Sequence, residues 1–140
     1  VLATQDAKQR GFDEAILLDQ SGNVSEAPGE NIFLVKNNKL VTPSLSSSAL
    51  DGITRKSIIT LAKDMKLEVK TRKVSKNELK LADEIFLSGT AAEITPIIKI
   101  DKKKIGDGKV GNMTKLFMDT YSDIVMNKNK THSKWLTTVY

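Results

Sequence analysis

The hydrophobic residues of the chain form two helical stripes and several short runs. The clearer stripe predicts a helix that begins near Thr54, with apolar residues on one face at Ile58, Ile59, Leu61, Ala62 and Met65. The charged residues between them then face water: Lys56, Lys63, Asp64 and Lys66. A second stripe predicts another amphipathic helix near the C-terminal end, with Met113, Leu116, Phe117, Thr120, Ile124 and Val125 on one side.

The short apolar runs, each bounded by turn residues, predict strands. They are Glu14–Leu18, Ile32–Val35, Leu40–Thr42, Leu67–Val74, Glu84–Leu87 and Ile94–Ile100. Pro96 makes the last of these an edge strand, and the pair Ser75 and Glu78 forms a capping box that begins a short helix. Because no internal repeat or linker interrupts the pattern, we expect residues 1–140 to form one domain of the mixed α/β class.

The start of the central helix is the first candidate site. Gly52 and Thr54 lie where unpaired backbone N–H groups and the positive end of the helix dipole favour an anion such as a phosphate. Gly52 would let the backbone approach the ligand, and the Thr54 hydroxyl could donate to it. An ordinary N-cap explains the same residues, and spacing alone favours that simpler interpretation.

Two further features carry possible chemistry. The small residues Ser88–Ala92 follow a strand, so their backbone amides either approach an anion or form a simple tight loop. Glu26 is an acid at the end of an apolar strand, which makes it a structural hydrogen-bond acceptor or a site residue. The pair Glu30 and Asn31 is more typical of a turn.

The composition limits the classes of protein to which the chain can belong. A chain of 140 residues with 39% hydrophobic and 28% charged residues is typical of soluble globular proteins. None of its apolar runs approaches the roughly 20 residues that span a bilayer. Without cysteine there is no thiolate chemistry, which is compatible with a reducing cytoplasm, and the single His132 argues against a metal site. Val1 is not an initiator methionine, so we interpret it as a cut end, inside or just before a helix.

The net charge of +5 leaves open a different class of function, a basic nucleic-acid-binding module. The lysines are spread over helix faces and one turn cluster, and only 5% of the residues are aromatic and able to stack on bases. A solvated surface is therefore the simpler explanation of the charge. A stable scaffold domain without an intact site is a third possibility.

Taken together, the segments resemble the branched-chain amino acid aminotransferases, which have fold type IV and use pyridoxal 5′-phosphate (PLP). The matching segments occur in family order across almost the whole chain. They are Gly11–Ala15, Val24–Glu26, Gly29–Phe33, Thr42–Pro43, Leu50 with Gly52–Arg55, Leu81–Glu84, Ser88–Pro96 and Trp135–Thr137. The resemblance implies the large C-terminal domain of that fold, a mixed sheet or pseudo-barrel with flanking helices.

The resemblance also implies the roles of individual residues. Glu26 would face the pyridine nitrogen of PLP, and a carboxylate there keeps the nitrogen protonated and the ring electron-withdrawing. Ile53 and Thr54 would bind the cofactor phosphate, with Thr90 as a second phosphate contact. Leu50 would pack on the ring, and the backbone of Thr90 and Ala91 would receive the substrate carboxylate. At Thr54, the resemblance therefore favours a phosphate site over the ordinary N-cap that spacing alone favours.

No lysine of this chain matches the family's Schiff-base lysine, which the resemblance places shortly before Val1 together with a small N-terminal domain. We therefore expect the 140 residues alone to be inactive, with no catalytic residue in this chain. Departures from the family pattern are Ala27–Pro28, Asp51 and Asn112, which change loop stiffness rather than chemical groups.

For the full-length protein, the resemblance implies amino-group transfer between leucine, isoleucine or valine and 2-oxoglutarate. A homodimer or higher homo-oligomer in the cytoplasm is expected, with no specific nucleic acid, membrane or metal. The alternatives within the same fold are a D-amino acid aminotransferase and an aminodeoxychorismate lyase. The segments Glu93–Pro96 and Trp135–Thr137 are more similar to the branched-chain group.

Overall fold

The computed structural model describes residues 16, 18, 20–25, 30–44, 52–89 and 93–125. Seven strands lie in these ranges: β1 (Asn31–Lys36), β2 (Lys39–Pro43), β3 (Val69–Arg72), β4 (Glu84–Gly89), β5 (Glu93–Ile97), β6 (Lys99–Ile100) and β7 (Lys103–Lys104). Three helices accompany them: α1 (Ile53–Asp64), α2 (Lys76–Leu81) and α3 (Asn112–Val125). The predicted first helix and the segment with Trp135 lie outside the described residues.

Five strands form one mixed sheet in the order β3-β2-β1-β4-β5. The pairs β1–β2, β1–β4 and β4–β5 are antiparallel, and β2–β3 is parallel with α1 in the connection between the two strands. The strands β6 and β7 form a separate two-stranded hairpin. The mixed α/β class and the mixed sheet are confirmed, and β5, which contains Pro96, lies at an edge of the sheet as predicted.

Both faces of the central strands are buried, which explains why the apolar runs Ile32–Val35 of β1 and Ile85–Leu87 of β4 do not alternate with polar residues. One face carries Ile32 and Leu34 and packs against α2. Its buried residues are Val24, Ile32, Leu34, Val41, Val74, Leu79, Ala82, Ile85, Leu87 and Ile105. The opposite face packs against α1 and α3, with Phe33, Val35, Leu40, Ile58, Leu61, Ala62, Phe86, Ile94, Phe117 and Tyr121.

Three aromatic rings fix this second face. Phe33 and Phe86 are paired across β1 and β4, and their rings stack with centroids 5.1 Å apart. Phe117 of α3 packs on Phe86 with the centroids 5.6 Å apart. All three side chains are fully buried, and burial of one such ring contributes about 1.5–3 kcal/mol. The stack therefore holds α3 in a fixed position over the sheet.

Most local predictions are confirmed. The helix with Ile58 and Leu61 buried, the hairpin between β1 and β2, and the capping box at Ser75 all form as expected. In the hairpin, Asn37 and Asn38 adopt positive φ angles of 52° and 60°, which asparagine tolerates better than most residues.

Some local predictions are wrong. Leu18, expected in a buried strand, is 44% exposed and forms an isolated bridge with Val24. Leu116, expected on the packed side of α3, is 46% exposed. Ser88 and Gly89, expected in a loop, belong to β4, because Asn31 and Glu93 continue the ladder on either side of them.

Within the described ranges, α1, α2 and α3 are all too short or too polar to cross a membrane. Nor do those ranges contain a group of three or more histidine or acidic side chains that could hold a metal ion.

Candidate functional site

Helix α1 begins at a glycine, which has no side chain to cap the first turn. Gly52 is the N-cap residue, in extended conformation with φ −72° and ψ 155°, and it makes no side-chain cap hydrogen bond. The first intrahelical bond runs from the backbone N–H of Lys56 to the carbonyl of Gly52, at 3.1 Å. The amides of the first turn have no acceptor within the helix. A helix that begins at a glycine N-cap in this way is suited to an anion.

Gly52 is in close contact with the start of β1. A Cβ atom built on Gly52 would lie 2.8 Å from the side-chain oxygen of Asn31, too close for ordinary contact. The glycine therefore lets the amino end of α1 approach the sheet next to Asn31. Asn31 is 6% exposed and is the first residue of β1, so it is part of the buried sheet rather than of the turn proposed for it.

Thr54 lies in the first turn of α1 and is 4% exposed. Its hydroxyl oxygen is 3.5 Å from the hydroxyl oxygen of Tyr121, which belongs to α3 and is 8% exposed. This separation is at the outer limit for an O–H···O bond. The contact joins α1 and α3 through two residues that are 67 positions apart in sequence, and it places a second hydroxyl next to that of Thr54.

Ser88 adds a third hydroxyl to this region. It is fully buried in β4, and its register partner in β1 is Asn31. Within the part of the chain that the structure describes, the Ser88 Oγ atom has no hydrogen-bond partner. A buried hydroxyl without a partner is costly, and such a group in a native protein calls for a water or ligand. We call Asn31, Gly52, Thr54, Ser88 and Tyr121 the polar corner.

A buried cation lies on the same helix turn. Arg55 is 6% exposed, and its Nη2 atom donates a hydrogen bond of 3.2 Å to the carbonyl oxygen of Pro43, at the end of β2. The formal charge of Arg55 adds to the positive end of the α1 dipole. Nearby, the Thr42 hydroxyl donates to the carbonyl of Ile32 at 2.7 Å and fixes β2 against β1.

Together, these features fit a phosphate group better than a metal or a neutral ligand. The backbone amides at the start of α1 and the Arg55 charge favour an anion. The hydroxyls of Thr54 and Ser88 can donate hydrogen bonds to phosphate oxygens. The Ser88 oxygen, which has no partner in the described ranges, is the independent sign that the polar corner is built for a bound group.

The structure describes only part of the predicted site. Thr54 lies in the polar corner, and Ile53 lies beside it as the first residue of α1. The other predicted site residues, Glu26, Leu50, Thr90 and Ala91, lie outside the described residues. The sequence interpretation missed Asn31 and Tyr121. Tyr121 lies four positions after Phe117, which could have revealed its place on the buried stripe of α3, but only the fold brings its hydroxyl to Thr54.

The family model described as "Amino-transferase class IV" matches residues 1–100 of the chain. A relative from Aquifex aeolicus, named a probable branched-chain-amino-acid aminotransferase, is 49% identical over 140 residues. That alignment covers 99% of this chain and 45% of the relative. The chain thus spans about half the length of the curated relatives it matches.

Solved structures show the same fold. The branched-chain aminotransferase of the archaeon Thermoproteus uzoniensis with norvaline matches with a TM-score of 0.92 and 43% identity, covering 99% of this chain and 46% of that one. The PLP-form (holo-form) of the enzyme from Thermobaculum terrenum matches with a TM-score of 0.92 and 40% identity, covering 96% of this chain and 44% of that one.

Proposed function

The chain belongs to the class IV amino-transferase family, and from this premise we propose that its full-length protein is a PLP-dependent aminotransferase of branched-chain amino acids. The observation that supports the proposal best is the polar corner. A helix that begins at a glycine N-cap, and a Ser88 hydroxyl without a partner among the described residues, occur in a chain whose relatives are named for this activity. The 140 residues are proposed to be its C-terminal cofactor-binding domain.

The residues of the polar corner would hold the phosphate of PLP. The backbone amides of Ile53 and Thr54, and the Thr54 hydroxyl, would donate to its oxygens, with Thr90 as a further donor. When bound, PLP withdraws electrons from the α-carbon of an amino acid and so acidifies its α-proton.

Other residues would orient the ring and the substrate. Glu26 would keep a proton on the ring nitrogen, since a carboxylate within about 4–6 Å stabilises the charged form. Leu50 would pack against the ring face, and the backbone of Thr90 and Ala91 would bind the substrate carboxylate. These four positions rest on the family resemblance, because the structure does not describe them.

The proposed amino donors are leucine, isoleucine and valine, and the proposed acceptor is 2-oxoglutarate. The relative from Thermoproteus uzoniensis was solved with norvaline, an amino acid with an unbranched apolar side chain, which supports an apolar substrate class. A homodimer or higher homo-oligomer, and a cytoplasmic location, complete the proposal; the absence of cysteine is compatible with that location.

A donor assay on the full-length protein tests this function. We expect glutamate to form from 2-oxoglutarate with L-leucine, L-isoleucine and L-valine, and not with D-alanine. The D-amino acid aminotransferase alternative predicts the reverse preference. The lyase alternative predicts pyruvate release from 4-amino-4-deoxychorismate without any acceptor. Either of these two results, in a protein that loads PLP, would contradict the branched-chain assignment.

A further inference from the structure

We propose that Tyr121 is a positioning residue for the phosphate of the cofactor, acting through Thr54. In this arrangement the Tyr121 hydroxyl donates a hydrogen bond to the Thr54 oxygen, so that the Thr54 hydrogen points at the phosphate. The inference rests on the proposed function and adds to it a residue from α3, the helix that packs beside α1 on the same face of the sheet.

The direction of the two hydrogen bonds follows from what each group can do. A phosphate dianion only accepts hydrogen bonds, so a hydroxyl that contacts it must donate its single hydrogen there. Thr54 can then only accept from Tyr121, and the phenol hydroxyl becomes the donor. Hydrogen bonds arranged in series polarise one another in a medium of low dielectric constant, which strengthens the donor at the phosphate.

Burial makes this pairing specific. Thr54 and Tyr121 are 4% and 8% exposed, so bulk water does not compete for either hydroxyl. Their separation of 3.5 Å is long for an O–H···O bond, whose usual distance is about 2.7–2.8 Å. Hydrogen bonds of an active site are often long before the ligand binds and shorten in the complex, and we expect this one to shorten.

The core holds Tyr121 in place. One turn before it, Phe117 packs on Phe86, which is stacked on Phe33. At the other end of α3, the carboxylate of Glu84 accepts hydrogen bonds from the backbone amides of Met113 and Thr114. The phenol hydroxyl is therefore presented from a helix anchored at two points, and little rotamer freedom is left to lose when the cofactor binds.

The test compares PLP with pyridoxal, which lacks the phosphate, in the full-length protein. We expect Tyr121→Phe to raise the dissociation constant of PLP about three- to tenfold, the range for one neutral hydrogen bond, and to leave that of pyridoxal unchanged. The substitution keeps the buried ring, so the melting temperature of the cofactor-free protein should change little. A merely structural role for Tyr121 would affect both ligands equally.

A double-mutant cycle identifies Thr54 as the intermediary. In a Thr54→Val background, Tyr121→Phe should have no further effect on PLP binding, whereas in a Thr54→Ser background, which keeps the hydroxyl, its effect should persist. The matched control is Thr114→Val, which removes another buried hydroxyl of α3. This hydroxyl donates to Glu84 at 2.7 Å, so its loss should lower stability without changing the ratio of PLP to pyridoxal affinity.

The possible failures are distinguishable. If the wild-type protein does not bind PLP, the proposed function is wrong and this inference fails with it. If the wild-type protein binds PLP but Tyr121→Phe weakens both ligands equally, has no effect, or adds fully to Thr54→Val, the inference alone is wrong.

Discussion

Ser88 carries a hydroxyl group that should cost stability until a ligand is bound. It is fully buried, and its Oγ atom has no partner among the described residues. Leaving such a group unsatisfied costs about 1–3 kcal/mol. We therefore expect Ser88→Ala to raise the free energy of unfolding of the cofactor-free protein by about 1 kcal/mol and to weaken PLP binding. Denaturant unfolding and a cofactor titration measure the two effects.

The control for Ser88 is Thr42, a second buried hydroxyl in the same sheet. Thr42 already donates to the carbonyl of Ile32 at 2.7 Å, so Thr42→Val should lower the free energy of unfolding by about 1 kcal/mol. The two substitutions thus have opposite expected signs. A loss of stability in Ser88→Ala would contradict the interpretation of Ser88 as an unsatisfied group.

A surface ion pair gives a prediction that depends on pH. The ammonium nitrogen of Lys39 lies 3.1 Å from the carboxylate of Glu68. Lys39 lowers the pKa of Glu68, mainly through its hydrogen bond to the carboxylate and then through its positive charge. Because the pKa is lower in the folded state, this pair stabilises the fold above the ordinary glutamate pKa of about 4.3. That stabilisation is lost as the pH falls through the lowered value.

The substitution Lys39→Gln tests the pair. The pKa of Glu68, followed by NMR of its carboxyl carbon, should rise toward the ordinary value. The stability difference between wild type and variant should be small, because both side chains are about half exposed, and should vanish in acid. If the Glu68 pKa were the same in the variant as in the wild type, Lys39 could not be the cause of the lowered pKa.

At the scale of elements, the amino end of α3 is capped by a residue from β4. The carboxylate of Glu84 accepts from the backbone amides of Met113 and Thr114, at 3.2 and 2.7 Å. A Cβ atom on Gly111 would overlap this carboxyl group, so only glycine leaves it room. We expect Gly111→Ala to lower the free energy of unfolding by about 2 kcal/mol, through loss of the cap.

A second substitution distinguishes loss of the Glu84 cap from a direct effect of Gly111→Ala on the backbone. In a Glu84→Ala background the carboxylate is already gone, so Gly111→Ala should then cost little more. Thermal unfolding of the two single variants and the double variant makes the comparison. An undiminished cost in the double variant would mean that Gly111 is needed for a reason other than space for Glu84.

The difference between local and distant contacts decides which elements the sequence could predict. The capping box of Ser75 and the hairpin of Asn37 and Asn38 depend on neighbouring residues, and both were predicted. The cap of α3 joins residues 29 positions apart, and the amphipathic pattern of that helix gave no sign of it. Helical spacing likewise assigned Leu116 to the packed side, although the stripe that packs on the sheet passes through Phe117 and Tyr121.

At the scale of the whole molecule, the same distinction applies to the site. Thr54 was predicted because the residues from Gly52 to Arg55 are adjacent in sequence and resemble a family motif. Tyr121 and Ser88 acquire a role only when α3 and β4 pack beside α1. A hydroxyl on a buried stripe has the same appearance in sequence whether it faces a core or a ligand. The polar corner could therefore be recognised only once the fold was known.

The family resemblance makes a final prediction about the 140 residues taken alone. The lysine that moves the α-proton is expected before Val1, so this chain should supply cofactor contacts without that base. Mixed with PLP, leucine and 2-oxoglutarate, it should form glutamate no faster than free PLP does. The matched comparison is the full-length protein with that lysine replaced by alanine, which should be equally inactive. A rate above the free-cofactor background would mean that one of the chain's own lysines can serve as the base, and would overturn the assignment of that role to a residue outside it.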